Sequence, residues 1–388
     1  MARKQPPIEK AASADFSART AHNSGLRPLL RKLRQSIRRL LRGGDHSGGL
    51  EQELAASVER RDWTAARSAA ERLGVLAESQ NSRGAMKKAG RALRRLDRPD
   101  RAWELLSKSK LVDGQVEWDG SSLAGKTLLI ERRDGDMEIF MVFASLLGRL
   151  GEDAERCIVY VEPRMAPLYR RTFPKLEVRN EGDESAGVEA DFHASFETLA
   201  VYGWSRSLSK KPHFIPLAFD RSVAQSLRES YQKNGPGPLI GIAWGSLNKA
   251  KGVPSLDDWG LMLKKTPGTM VSIQYGNVKP SLDALARDLP NRIINDQTVD
   301  QLLDMDRFAA QLAALDGIVS ISNTGVHLAG ALGLPCVLVV DDGFHLSWPV
   351  SGADVPYYPE MTIVRRNGRS WTETLAEARE RLLEKLGS

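Results

Sequence analysis

The chain has little cysteine and no run of apolar residues long enough to cross a membrane. Its 388 residues include only two cysteines, Cys157 and Cys336, and each opens an apolar, strand-like run. We predict that both are buried, reduced and structural, as in a cytosolic protein, and the pair alone excludes a cysteine-rich zinc site. No segment approaches the roughly 20 apolar residues that span a bilayer. The N-terminus has no apolar core of the kind found in signal peptides, so we expect no secretory signal.

The excess of positive charge is confined to one end of the chain. Residues 1–50 hold eleven Lys/Arg and three Asp/Glu, a net charge of +8, whereas the whole chain carries +6. Residues 51–388 therefore have a net charge of −2. A nucleic-acid groove across the main body is disfavoured, and we expect no nucleic-acid partner.

Residues 26–42 form a basic amphipathic pattern within this charged end. Seven apolar residues fall on one helical stripe, and the remaining positions include seven Lys/Arg and no acid. Such a helix suits an anionic membrane surface, an acidic partner, or docking on the protein's own body. We predict that residues 1–48 are a disordered basic tail containing this helix. The expected location is the cytoplasm, with peripheral binding to the inner membrane as the alternative.

Residues 49–112 are predicted to be helical and repetitive. The segments RDWTAARSAAERL and RPDRAWELLSK match with Ala66 aligned on Ala102, an offset of 36 residues. This offset is close to the period of tetratricopeptide helix hairpins. Fewer than two units are visible, so we expect this tetratricopeptide-like region to pack against the α/β part of the chain. The alternative is a plain helical spacer.

From residue 126 onward, apolar strand-like runs alternate with helical patterns. This alternation is typical of parallel sheets covered by helices. A Gly/Pro-rich stretch at 234–238 divides the series. We therefore predict an α/β fold with two Rossmann-like, doubly wound domains, over 113–235 and 236–388, and a ligand cleft at the carboxyl ends of their strands. The predicted strands are KTLLIER, CIVYVEP, LEVRN, FIPLA, LIGIAW, MVSIQYG, RIIND, GIVSIS, CVLVV and TIVRR.

The stretch IVSISNTGVHLAGALGLP, residues 318–335, is the most informative one. It predicts a strand, a polar loop and a helix, and small polar residues at a helix N-terminus favour an anion. The alternative is an N-cap on an ordinary crossover helix. At two other strand ends, Lys249 and Lys251 suit a phosphate, and Gln274 suits a base or ribose. Each of these three is otherwise a loop residue or a turn cap.

Acidic residues follow the first predicted strand in the turn ERRDGD. A carboxylate at the carboxyl end of a strand, beside a cleft, can act as a general base. Asp134 and Asp136 also fit a D-x-D metal pattern, and either can instead be a helix N-cap.

The segments ISNTG and HLAGALGLP, together with IGIAW, VSIQYG and VPYYPEMTIVRR, resemble the tetratricopeptide-containing glycosyltransferases of bacteria. That family is similar to heptosyltransferases and to O-linked N-acetylglucosamine transferases. The resemblance covers about residues 125–371. It implies a GT-B fold with a nucleotide-sugar donor in the second domain, an acceptor near the first, and no metal or other cofactor.

The resemblance also implies roles for individual residues. Asp136 occupies the place of the acidic residue in the family's E-Q-G-x-G-D turn, where heptosyltransferases place a general base, and Glu131 is the second candidate. Two departures are visible: ERRDGD replaces the Gly-rich turn, and Asn323 stands near where heptosyltransferases carry Asp. The residues implied near the donor are Lys249, Lys251, Gln274, Asn323, Thr324, Gly325 and His327.

The expected function is therefore that of an inverting glycosyltransferase, which moves a sugar from a nucleotide-sugar to a hydroxyl of a protein or surface glycan. One alternative is a catalytically degenerate protein of the same architecture that acts as a scaffold. Another is an epimerase of nucleotide-sugars, which leaves the helical hairpin and the PYYP segment unexplained.

Overall fold

The computed structural model describes residues 48–183, 188–203, 214–235, 237–246, 251–287, 289, 293–343 and 347–387. These residues belong to one compact unit, which contains a helical region followed by two parallel sheets covered with helices. Within them, no helix is both apolar enough and long enough to cross a bilayer. The predicted basic helix at 26–42 and the candidate donor residue Lys249 lie outside the described residues.

The helical region, residues 48–108, contains four helices, each packed on the next. Its interior is rich in alanine because short side chains let helices approach closely, and Ala66 and Ala102 are both fully buried. Three connecting turns place a residue in the left-handed conformation, at Arg61, Asn81 and Asp97. The assignment of this region to tetratricopeptide repeats stays a prediction. The helices are α1 (Gly48–Glu59), α2 (Trp63–Ser79), α3 (Arg83–Arg95) and α4 (Pro99–Lys108).

The first sheet has four parallel strands in the order β3-β2-β1-β4. Its fourth strand is not the predicted run FIPLA, so that prediction is wrong. Residues 214–218 form no strand, and the backbone N–H of Leu217 donates to the carbonyl of Ala331, which ends a helix of the second sheet. The segment thus lies between the two sheets, with Phe214 next to Gly333 of the second-sheet region and Ile215 next to Gly148 of the first-sheet region. The first-sheet elements are β1 (Thr127–Glu131), α5 (Ile139–Val142), α6 (Leu147–Asp153), β2 (Arg156–Val161), α7 (Ala166–Thr172), β3 (Glu177–Asn180), β4 (Phe192–Ser195) and α8 (Phe196–Gly203), with 3₁₀ turns at Ala144–Leu146 and Pro163–Met165.

The second sheet has six parallel strands in the order β10-β9-β8-β5-β6-β7. The other nine predicted strands are confirmed, and so is the strand–loop–helix unit predicted at 318–335. The elements are α9 (Arg221–Gln232), β5 (Leu239–Ala243), α10 (Leu256–Lys264), β6 (Thr269–Ser272), α11 (Lys279–Ala286), β7 (Ile293–Ile294), α12 (Met305–Ala313), β8 (Gly317–Ile321), α13 (Thr324–Ala331), β9 (Cys336–Val340), β10 (Met361–Arg365) and α14 (Trp371–Leu386).

A single apolar cluster joins the two sheets. It extends from Ile130 and Phe143 of the first sheet to Phe308 and Leu328, which cover one face of the second. The opposite face of the second sheet has a core of its own beneath α10 and α14. Both cysteines are buried and free, as predicted, and burial raises the pKa of each thiol to about 12. Neither is therefore a thiolate at neutral pH.

Candidate functional site

The site lies where the turn after β1 meets helix α13 after β8. The contact is made by Glu138, whose Oε2 lies 3.4 Å from Nε2 of His327. In parallel α/β sheets, ligands bind outside the carboxyl ends of the strands. The two regions singled out by the sequence, 131–136 and 323–327, therefore border the same junction.

The N-terminus of α13 is capped by Asn323. Its Oδ1 accepts the backbone N–H of Val326 at 3.0 Å, and its Nδ2 donates to Oγ of Ser320 at 3.2 Å. Both ends of this side-chain amide thus hold the turn in place, as in the N-cap alternative. Thr324 is half-buried in the first turn of the helix. At Gly325, an added Cβ would come within 3.0 Å of the Phe308 ring, so a larger residue would crowd the helix.

A lysine lies beside this helix terminus. Lys251 donates from Nζ to the carbonyl of Ser322 at 2.7 Å. Burial lowers the pKa of this ammonium, and the charges of Glu138 and Asp341 raise it in part. The cation is therefore placed at the carboxyl end of β8, next to the first turn of α13.

Gln274 supports the neighbouring loop after β5. Its Oε1 accepts the backbone N–H groups of Trp244 at 3.0 Å and Gly245 at 2.7 Å, and its Nε2 donates to the carbonyl of Tyr275 at 3.2 Å. The side chain is nearly buried. Its visible role is to fix the first residues of the loop that leads to Lys251.

His327 is enclosed within the junction. Its ring stacks on Trp348, with centroids 4.3 Å apart and planes 13° apart, and its Nδ1 lies 3.1 Å from the hydroxyl of Tyr358. Burial lowers its pKa to about 4, although Glu138 acts in the opposite direction. The imidazole is therefore neutral at physiological pH.

Glu138 remains ionised at the same pH. Burial by itself would raise its pKa, but His327, Arg94 and a hydrogen bond from Ser347 lower it to about 2. A carboxylate only accepts, so Nε2 of the neutral His327 carries the hydrogen and Nδ1 accepts from Tyr358. This assigns the tautomer from the partners that each nitrogen faces.

Most charged side chains of the ERRDGD turn are engaged in ion pairs. Arg133 is almost fully buried and donates to Glu117 at 2.6 Å and to Glu131 at 3.2 Å. Arg132 donates to both carboxylate oxygens of Glu181. The candidate Glu131 is therefore held by an arginine.

The two aspartates of this turn have different surroundings. Asp134 pairs with Lys87 and Arg91 of helix α3; burial would raise its pKa, but these cations and Lys110 lower it. Asp136 is exposed, and its carbonyl accepts the N–H of Ile139 as the next helical turn begins. In the described part of the chain, no group of three or more His, Cys, Asp or Glu side chains is arranged to hold a metal.

The side chains that join the elements of this site were not predicted from the sequence. They belong to three separate regions of the chain, and each pairs with a partner far along the sequence, so no local spacing identifies them. One hint is present in the sequence, since PYYP contains two of these residues. The missed residues are Arg94, Glu138, Ser347, Trp348, Tyr357 and Tyr358.

No family model matches the chain. It is similar in sequence to protein FlbA of Caulobacter vibrioides, with 31% identity over 268 residues, which is 63% of this chain and 44% of that protein. The chain thus spans less than half the length of this relative.

The fold is similar to that of a glycosyl transferase family 9 protein from Veillonella parvula. The TM-score is 0.51 at 10% identity, and the alignment covers 69% of this chain and 98% of the other. The ADP-heptose lps heptosyltransferase II of E. coli aligns with a TM-score of 0.47 at 13% identity, over 67% of this chain and 99% of the other. The coarse prediction of a mixed α/β fold with parallel sheets, like that of a glycosyltransferase, is confirmed.

Proposed function

We propose that the protein is an inverting glycosyltransferase with a nucleotide-sugar donor and a hydroxyl acceptor on a protein or surface glycan. The observation that supports it most is the contact between Glu138 and His327. This contact brings the turn that carries Asp136 next to helix α13, whose N-terminus is the proposed diphosphate site. An exposed carboxylate is thus carried by a turn that contacts this helix, and the N-terminus of the helix favours anions.

The donor side of the proposed site uses backbone N–H groups and cations. The first turn of α13, with the Thr324 hydroxyl and Gly325, faces the diphosphate, and Lys251 neutralises charge on it. Lys249 and Gln274 belong to the same proposed set, with Gln274 acting through the loop it supports. Asn323 and His327 shape the helix terminus from inside the fold.

The proposed reaction is a single displacement. Asp136 takes the proton from the acceptor hydroxyl, whose oxygen forms a bond to the anomeric carbon from the face opposite the leaving group. The bond from that carbon to the diphosphate oxygen breaks, and the electron pair leaves with the nucleoside diphosphate. The helix N-terminus and Lys251 stabilise the charge that develops there. Glu131 is the second candidate for the base.

One observation favours the scaffold alternative. Charged or amide groups of Glu131, Asp134, Gln274 and Asn323 already bond within the fold. A degenerate protein would keep such structural bonds after losing catalysis. The scaffold alternative assigns no role to the exposed Asp136.

Nucleoside diphosphates test the donor site, because a ligand of the folded state raises the melting temperature. We expect at least one of UDP, GDP and ADP to do so, and Thr324→Val to reduce the shift. Thr362→Val, on strand β10 at the far edge of the sheet, is the matched control and should keep it. An unchanged shift in the Thr324 variant would place the diphosphate elsewhere.

Transfer assays test the role of Asp136. We expect Asp136→Asn to bind nucleotide normally while transfer falls about a hundredfold or more, the scale of general base catalysis. Asp153→Asn, at the exposed end of α6, is the control. We also expect transfer to persist in EDTA. Full activity of the Asp136 variant would favour Glu131 as the base. If the wild type binds nucleotide but transfers sugar to no acceptor, the scaffold alternative would be favoured.

A further inference from the structure

A chain of polar contacts leads from the helical region into the proposed donor site. Arg94, on helix α3, donates from Nη2 to Oε1 of Glu138 at 3.0 Å, and the other oxygen of Glu138 faces His327 and accepts from Ser347. Arg94 and Glu138 are only 16% and 22% exposed. The arginine therefore satisfies one side of a carboxylate whose other side contacts helix α13.

The same arginine lies near the segment that carries the aromatic partners of His327. The charges of Arg94 and Tyr357 act on each other, and the hydroxyl of Tyr357 donates to the carbonyl of Ser347 at 2.5 Å. Next in the chain, Trp348 stacks on His327. The imidazole is thus fixed on one face by the indole and at one edge by Glu138, which pairs with Arg94.

Trp348 also reaches the end of β8. Its Nε1 donates to Oγ of Ser322 at 2.9 Å, and the carbonyl of Ser322 accepts from Lys251. Displacing the indole would therefore disturb the residue that positions the lysine. The contacts run without a break from Arg94 to the cation beside the first turn of α13.

We propose that Arg94 is a positioning residue for the donor site: through Glu138, His327 and Trp348 it holds the N-terminus of α13 and Lys251 in place. This inference rests on the proposed function, and it makes the helical region a component of that site. Arg94 itself does not touch the donor.

Replacing Arg94 changes the charge balance at His327. The groups whose charges act on this imidazole are Glu138, Arg94 and Lys251, and Tyr358 bonds to it directly. In Arg94→Met, Glu138 keeps Ser347 and His327 as its partners among the described residues. A buried carboxylate that loses its cation favours protonation of the neighbouring imidazole. The pKa of His327 should therefore rise into the range of neutral pH.

The experiment follows His327 by NMR of protein labelled with carbon-13 at histidine, with His327→Gln to assign its resonance. We expect no titration of His327 between about pH 5.5 and 8 in the wild type and a clear titration in Arg94→Met. Arg94→Lys should restore the wild-type behaviour. Arg83→Met, at the exposed start of the same helix, is the control and should leave His327 unchanged.

Binding of inorganic pyrophosphate, measured by calorimetry, provides the functional readout. We expect the affinity to fall about tenfold or more in Arg94→Met, the scale of losing a hydrogen bond to a charged group, and to recover in Arg94→Lys. If His327 does not titrate in the Met variant, the proposed linkage is refuted. If it titrates while affinity is unchanged, Arg94 is merely structural and the proposal fails.

Two further outcomes distinguish a failure of the role of Arg94 from a failure of the proposed donor site. If the wild type binds no pyrophosphate, the donor site itself is refuted, while the NMR titration still decides the linkage to His327. If Arg94→Met does not fold, Arg94→Met combined with Glu138→Gln should fold and show a neutral, non-titrating His327, because the unpaired charge is gone. A double variant no more stable than the single one would overturn the linkage.

Discussion

Gln274 offers the sharpest test of how the second sheet supports its candidate site. Its Oε1 accepts two backbone N–H groups, from Trp244 and Gly245, and its Nε2 donates to the carbonyl of Tyr275. Gln274→Met keeps the length of the side chain but removes all three hydrogen bonds. Since the side chain is only 7% exposed, little water can replace them.

The magnitude depends on the groups left without partners. Each buried backbone group that loses its hydrogen bond costs about 1–3 kcal/mol, and Trp244 is buried whereas Gly245 and Tyr275 are half-buried. We expect the free energy of unfolding to fall by about 2–5 kcal/mol. Urea unfolding monitored by tryptophan fluorescence measures it, with an unchanged slope showing that the unfolding transition is otherwise the same.

Gln274→Glu is the matched control. A carboxylate still accepts both N–H groups but cannot donate to the carbonyl of Tyr275, so part of the stability should return, whereas a direct contact of the amide Nε2 with a nucleotide would be lost. A stable Glu variant with weakened nucleotide binding would support such a contact; a stable variant with normal binding would show that Gln274 acts through the loop. A loss below about 1 kcal/mol in Gln274→Met would contradict a supporting role of three hydrogen bonds, because that is the value of one ordinary hydrogen bond.

Two more predictions concern pH and the basic tail. Because burial lowers the pKa of His327 from its usual 6.5 to about 4, the unfolded state binds more protons between these values. The free energy of unfolding should therefore decrease by about 3 kcal/mol as pH falls from 6.5 to 4. Urea titrations at several pH values measure this change, and His327→Gln should lose this part of the pH dependence. The same pH dependence in the variant as in the wild type would contradict the prediction. The full-length protein should co-sediment with anionic liposomes through residues 26–42, and this binding should weaken as salt is added. A protein that starts at Gly48 should not bind the liposomes. If instead neither protein binds liposomes and the shorter protein aggregates, the basic helix docks on the rest of the protein.

The strands and helices could be predicted because their signals are local. The unit at 318–335 shows this well: an apolar run, a cap and a glycine-terminated helix follow one another, and each is visible within a few residues. FIPLA failed for a related reason. Leu217 is buried, but its backbone N–H donates to a helix of the other sheet. A hydrophobic run does not reveal whether its backbone pairs with a strand.

The candidate site could be predicted only in outline. Spacing placed Asp136 and Thr324 in turns that follow strands of two different sheets, and two doubly wound domains are expected to face each other across a cleft at such strand ends. The pairing of Arg94 with Glu138, and of Glu138 with Ser347, joins residues 44 and 209 positions apart. Such pairs depend on how three packed regions meet, which neither periodicity nor capping patterns encode.

These long-range pairs also bear on whether the helical region is a separate module. Glu138 and Glu197 are carboxylates of the first-sheet region, and their cations, Arg94 and Lys110, come from helix α3 and the residues just after α4. Lys110 and Glu197 are only 6% and 7% exposed. Removing one partner of a buried ion pair costs about 3–5 kcal/mol, so the loss of both cations would consume most of the 5–15 kcal/mol by which a typical domain is stable. The helical region is therefore part of the folded unit that holds the site.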